Sequence, residues 1–206
     1  DEAFFAEENW SLLNRPFTIY NGNLAMPSAT AVAIMGSAAP RRYDAPLNDG
    51  EWEVWTLNNI APRDAHGRIR ADRWFEIHAP RVRSAERWAR TARIPRPQYC
   101  RTPSDVLHGF AYPFGEVRAI KDYFADSFAY MLALAYMLGF KTIGLYGAHL
   151  LVGSPRERTV EAACVSWWLG FLEAKGIHVI VPKTAWGLAQ HPALYGDENE
   201  RLLVGC

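Results

Sequence analysis

The stretch Ala31–Asn59, AVAIMGSAAPRRYDAPLNDGEWEVWTLNN, decides the fold. Its first five residues, Ala31 to Met35, are apolar without interruption, too short a run for a helix and apolar on both faces. That is the pattern of a strand buried inside a parallel sheet. Gly36-Ser37-Ala38-Ala39 follows at once, small residues that let backbone N–H groups come close to a ligand. A second strand, Trp52 to Leu57, ends on the amide pair Asn58-Asn59. In open α/β sheets ligands sit outside the carboxyl ends of the strands, where the strand order reverses. Two strands that end in a small-residue turn and in two amides therefore point to a nucleotide pocket; the plain alternative is a tight turn with no ligand.

Outward from this stretch the chain alternates strands with helices. Trp74-Phe75-Glu76-Ile77-His78 reads as a short strand, with Trp74, Glu76 and His78 on one face by period two. Ser84–Ala92 reads as a helix, Gln98–Cys100 as a minimal strand, and 104–115 as a loop over the pocket. A helix is expected from Glu116 to Leu138 with a break near Asp126-Ser127, apolar all round in its second half and closed by Gly139. Thr142–Tyr146 is the next strand, Arg156–Lys175 a second long helix, and Ile177–Val181 the last strand. This order predicts an α/β fold: a Rossmann-like, mainly parallel sheet with helices on both faces, in a single domain. The domain spans 31–182. Residues 1–30 are expected to form an N-terminal arm that packs on the domain or on a second copy in a homo-oligomer, and 183–206 a tail wrapped on the domain.

Half of the 206 residues are hydrophobic and eight are Trp, enough for a sizeable core. The 22 basic and 22 acidic side chains balance, but unevenly along the chain. From Arg63 to Arg101 there are eleven Arg and no Lys against four acids, a local excess of seven positive charges. Guanidinium forks suit phosphate and carboxylate oxygens, so this segment is a candidate contact for nucleic acid; a solvated basic face is the alternative. Three separated cysteines make neither a disulfide framework nor a metal-ligand spacing, and no signal peptide is visible, so a cytoplasmic location is expected. The longest apolar run, Phe128 to Leu138, is eleven residues, against the ~20 that a membrane span needs; no membrane partner is expected.

Few residues carry chemistry. Glu76 and His78 share the end of a strand, a carboxylate and an imidazole able to act as a general-base pair or to order a ribose. His149 follows Tyr146-Gly147-Ala148 in the equivalent place on another strand. Ser127 opens the apolar helix after Asp126; one of the two caps it, or Ser127 and the free N–H groups bind an anion. There is no Walker-type phosphate loop, no G-x-S-x-G elbow, no H-E-x-x-H and no Asp-x-Asp, and no metal site is expected.

The order AVAIM-GSAAP, WEVWTLNN, RWFEIH and YFADSFAYMLALAYMLGFKTIGLYGAHL resembles a broad group of bacterial and phage α/β proteins. It includes the bacterial CMP-sialic-acid sialyltransferases, the 6-hydroxymethylpterin pyrophosphokinase-like proteins and phage relatives of unassigned activity. The resemblance covers about 31–182. It implies that Gly36, Ser37, Ala38, Asn58 and Asn59 hold a nucleotide and that Ser127 lies by the donor's sugar or phosphates. It also implies later tyrosines at the phosphates and a histidine base, for which Tyr195 and His78 are the candidates. The chain departs from the group in reading Gly-Ser-Ala-Ala-Pro for Gly-x-Gly-Pro-Ser, and in carrying His149 where relatives have Asp.

The expected activity is a metal-independent, nucleotide-sugar-dependent glycosyltransferase acting on an acceptor hydroxyl, such as that of a phage-type modified DNA base. No cofactor is expected beyond the nucleotide-sugar co-substrate. His78 or His149 would take the acceptor's proton, with Glu76 orienting the imidazole. The alternatives are a Mg-dependent pyrophosphokinase-like enzyme and a non-catalytic nucleotide- or nucleic-acid-binding module.

Overall fold

In the computed structural model the residues described are 27–38, 41–58, 71–79, 98–101, 109–148, 150 and 154–182. The run Ala31–Met35 forms β1, buried along its whole length, with a strand on either side of it. The other strands are β2 (Trp52–Leu57), β3 (Arg73–Glu76), β4 (Gln98–Cys100), β5 (Gly109–Ala111), β6 (Thr142–Tyr146) and β7 (His178–Ile180). They make one seven-stranded sheet in the order β5-β4-β3-β2-β1-β6-β7, each neighbouring pair parallel. The helices are α1 (Phe114–Ile120), α2 (Ser127–Leu138) and α3 (Ala162–Ala174). This is the Rossmann-like α/β architecture expected from the alternation of elements.

From β1 the chain steps outward through β2 to β5, then returns to place β6 on the other side of β1. Right-handed crossovers put the connections of those two directions on opposite faces of the sheet. The helices α1, α2 and α3 belong to the β5–β6 and β6–β7 connections. Of the connections on the other face, the described part includes the 3-10 turn Arg41–Asp44.

Pair register sorts the side chains. Ile34, Trp55, Phe75, Tyr99 and Phe110 share one face, and Met35, Thr56, Trp74, Glu76 and Cys100 the other. On the first face rings run strand to strand: Trp55–Phe75 at 5.0 Å, Phe75–Tyr99 stacked at 5.0 Å and Tyr99–Phe110 at 5.7 Å. Phe140, just past α2, meets Trp55 edge-on at 5.4 Å. The helix α2 buries nine of its twelve side chains, and each large one, such as Met131 or Leu134, contributes about 1.5–3 kcal/mol. Its burial accounts for a sequence apolar all round, and Gly139 ends it as expected, in a left-handed cap.

The break expected near Asp126-Ser127 is present and wider than a kink: residues 121–126 are non-helical and separate α1 from α2. Two expectations are revised. Gly109–Ala111, read as loop, is the edge strand β5; three residues beside a glycine and a histidine show no period. The helix expected from Arg156 opens with a π-helical turn, Glu157–Glu161, before α3 begins. The arm before Pro27, the helix over 84–92 and the tail after Pro182 lie outside the described residues.

An ion pair lies within this apolar face. Arg73 holds Glu53 through two hydrogen bonds of 2.8 and 3.1 Å and donates a third, of 2.8 Å, to Tyr99 Oη. Glu53 also accepts from Trp55 Nε1 and from the Ser28 backbone N–H. Burial alone would raise the Glu53 carboxyl, but Arg73 and the other donors outweigh it and hold it below its ordinary value. Both side chains are about 3% exposed, so removing one leaves a buried charge with no partner. Glu53→Ala or Arg73→Ala is expected to lower the free energy of unfolding by about 3–5 kcal/mol in urea titrations, and a Glu53→Leu/Arg73→Met double variant by clearly less. A single variant within 1 kcal/mol of the parent would contradict this reading.

Candidate functional site

The return of the chain beside β1 creates the strand-order reversal at which ligands bind in such sheets. Here the two strand ends at that point touch. Gly36 N–H donates to Tyr146 O at 2.7 Å and Ala38 N–H to Gly147 O at 3.1 Å. A Cβ on Gly36 would collide with Gly147 O and lie 2.7 Å from the Phe128 ring, and Gly147 has φ +64°. The small residues after β1 therefore serve backbone-to-backbone packing. The Gly36 and Ala38 N–H groups, expected to face a nucleotide, are taken by the end of β6, and of the described residues of that turn Ser37 alone reaches the cavity.

The cavity, about 610 Å³, lies over the carboxyl ends of β1 to β4 and the start of α2. Ser37, Asn58, His78 and Ser127, set apart by up to ninety residues of sequence, all line it. Asn59 and His149 lie outside the described residues. Asn58 has φ +52°, alone among described non-glycine residues in that region, a conformation Asn adopts more readily than most. Its N–H is held by Phe75 O at 3.0 Å, and its Oδ1 is buried with no hydrogen-bond partner among the described residues.

Glu76 and His78 are brought together. His78 Nδ1 is 2.6 Å from Glu76 Oε1, and the His78 backbone N–H donates to the same oxygen at 3.3 Å. The carboxylate side chain is 1% exposed and the imidazole 43%. A carboxylate only accepts, so the shared proton sits on Nδ1 and leaves Nε2 as the basic nitrogen. The strand itself stops at Glu76, which frees His78 from the ladder.

At the start of α2 the cap is Asp126. Its Oδ1 accepts from Ala129 N–H at 2.7 Å, while Ser127 is the first helical residue and lines the cavity. The N–H groups that an anion at Ser127 would need are thus partly engaged by a carboxylate. Asp126 Oδ2 is buried without a partner among the described residues, and burial pushes this carboxyl up to about 7. Glu161 raises it further and Arg156 opposes that. Arg156 bonds Glu161 at 3.1 Å and Ala125 O at 3.2 Å.

Arg101, the last residue of the basic segment, enters the site from the end of β4; Arg156 and Glu161, for which no local pattern speaks, come from the turn before α3. Of the eleven arginines in the basic segment, Arg73 is sealed in the Glu53 pair and Arg101 lines the cavity; the other nine lie outside the described residues. Among the described residues no group of three or more His, Cys, Asp or Glu is placed to hold a metal ion, and no helix is long and apolar enough to cross a membrane.

These features define a class by fold: a Rossmann-like α/β protein with a parallel seven-stranded sheet. The particular likeness is to the crystal structure of the monofunctional alpha-2,3-sialyltransferase Cst-I from Campylobacter jejuni, with a TM-score of 0.55, 14% identity and 86% of each chain covered. No family model matches the sequence, and no curated protein does.

The Asp126 carboxyl yields a pH prediction. Unfolded, it titrates near 3.8; folded, near 7. Between those values the folded chain holds a proton that the unfolded chain lacks, so this group's contribution to stability falls as pH rises, by up to about 4 kcal/mol above pH 7. Asn caps a helix as well as Asp and carries no charge. Asp126→Asn is expected to raise the melting temperature at pH 8 and to leave it nearly unchanged at pH 4. An equal shift at both pH values would contradict the assignment.

Proposed function

We propose that this chain is a metal-independent glycosyltransferase that binds a nucleotide-activated sugar in the cavity and passes the sugar to an acceptor hydroxyl. The observation that carries the reading is the 2.6 Å Glu76–His78 pair, its imidazole lining the same cavity as Ser37, Asn58 and Ser127. The likeness in fold to a sialyltransferase supports it.

In this reading Asn58 Oδ1 accepts from a base or sugar N–H or O–H group, and Ser37 and Ser127 bond sugar or phosphate oxygens. Arg101 and Arg156 offset the donor's negative charge. His78 Nε2 takes the proton of the acceptor hydroxyl as its oxygen bonds to the sugar's anomeric carbon. The bond from that carbon to the phosphate oxygen breaks, and the nucleotide leaves with the electron pair. Glu76 holds the ring and stabilises the imidazolium, a general-base contribution of about 10²–10⁴ in rate. Because Asp126 gains charge as pH rises through about 7, affinity for the anionic donor falls over that range, and Asp126→Asn flattens the dependence.

The test is nucleotide release from a panel of CMP-, UDP- and GDP-sugars, followed by chromatography with and without EDTA. The wild type is expected to turn over at least one donor in EDTA, and His78→Gln to lower kcat by about 10²–10⁴ with little change in donor KM. Asn58→Gly, which suits the positive φ, is expected to keep the fold and weaken donor binding about tenfold. No turnover of any donor, or full activity in His78→Gln, would overturn the proposal. Consumption of ATP only with Mg²⁺ would replace it with the pyrophosphokinase-like reading.

A further inference from the structure

A second cavity, about 650 Å³, adjoins the first, and Arg101, Phe124 and Tyr130 line both. Its remaining wall comes from α1 and the segment after it: Phe114, Arg118, Asp122 and Tyr123. None of these four lines the first cavity. The junction is fixed rather than open-ended. Arg101 Nε donates to Ile77 O at 2.6 Å, one residue before His78, and its guanidinium lies 4.6 Å from the Phe114 ring centroid. Phe114 meets Tyr130 edge-on at 5.5 Å, and Phe124 stacks on the same tyrosine at 4.3 Å. The groove thus runs from the residue adjoining the base outward along a wall of aromatic rings.

At its outer end Arg118, in the last turn of α1, and Asp122, just past its end, face each other through two hydrogen bonds of 2.8 and 2.7 Å, both side chains more than half exposed. That pairing uses two of five guanidinium N–H donors and two of about four carboxylate lone-pair sites. A planar group offering donors sits beside one offering acceptors, next to rings. Sugar rings have C–H faces that lie on aromatic rings and rims of hydroxyls that both donate and accept. A nucleic acid strand instead needs several unpaired cations along its phosphates, and here Arg118 is neutralised by Asp122.

We propose that this groove is the acceptor subsite and that it takes a saccharide, whose reacting hydroxyl is directed past Arg101 to His78. The inference rests on the glycosyl-transfer reading for its role, but not for its binding chemistry. Phe114, Tyr123 and Tyr130 supply the stacking surface, and Arg118 with Asp122 bonds the hydroxyls of the outer sugar.

The full chain is applied to an array of immobilised oligosaccharides that also carries single- and double-stranded DNA, alongside Arg118→Ala and Asp122→Ala. Both substitutions are at exposed positions and outside the first cavity. Binding of the wild type to a defined set of saccharides is expected to weaken about tenfold or more in each variant, with the thermal shift given by nucleotide sugars unchanged. Absence of saccharide binding, equal binding by the variants, or binding to DNA in its place would overturn the subsite. Loss of the nucleotide-sugar shift in the wild type would instead overturn the reading of the first cavity, and the array would still decide the groove.

Discussion

Two backbones in contact set the geometry of this molecule. Where β1 and β6 end, Gly36 and Gly147 approach so closely that neither position has room for a Cβ. Strand order reverses at this point, and in an open sheet the crevice there would be the ligand's place. Closing it with two backbone hydrogen bonds moves the usable space sideways, over β1 to β4, and brings the Phe128 ring of α2 against Gly36. The cavity, the position of α2 and the setting of Ser37 follow from that contact.

Around it, polar groups are distributed by need. The buried face under α2 tolerates one ion pair, Glu53–Arg73, because each partner is bonded on several sides. The cavity side does the opposite. Asn58 Oδ1 and Asp126 Oδ2 are buried there without partners among the described residues, an arrangement that costs about 1–3 kcal/mol per group unless something completes it. Both residues line the same cavity, where a ligand could complete them.

The fold was legible because its signal is dense. Five apolar residues in β1 and eleven in α2 have one economical reading, burial on both faces. The Glu76–His78 pair was legible too, since period two puts residues i and i+2 on one face. Other features were hidden for physical reasons. The use of Gly36 depends on what β6 places opposite it, over a hundred residues later. Choosing between Asp126 and Ser127 as cap requires backbone angles. Arg156 and Glu161 enter the cavity only through tertiary packing, and three residues of β5 are too few to show a period.

The most direct test is a crystal structure of the protein with a non-transferable nucleotide-sugar analogue. The account predicts the nucleotide over the carboxyl ends of β1 to β3, hydrogen-bonded to Asn58 and beside Ser37, with the anomeric carbon toward His78 Nε2. A nucleotide bound elsewhere on the molecule, or a sugar turned away from His78, would contradict it.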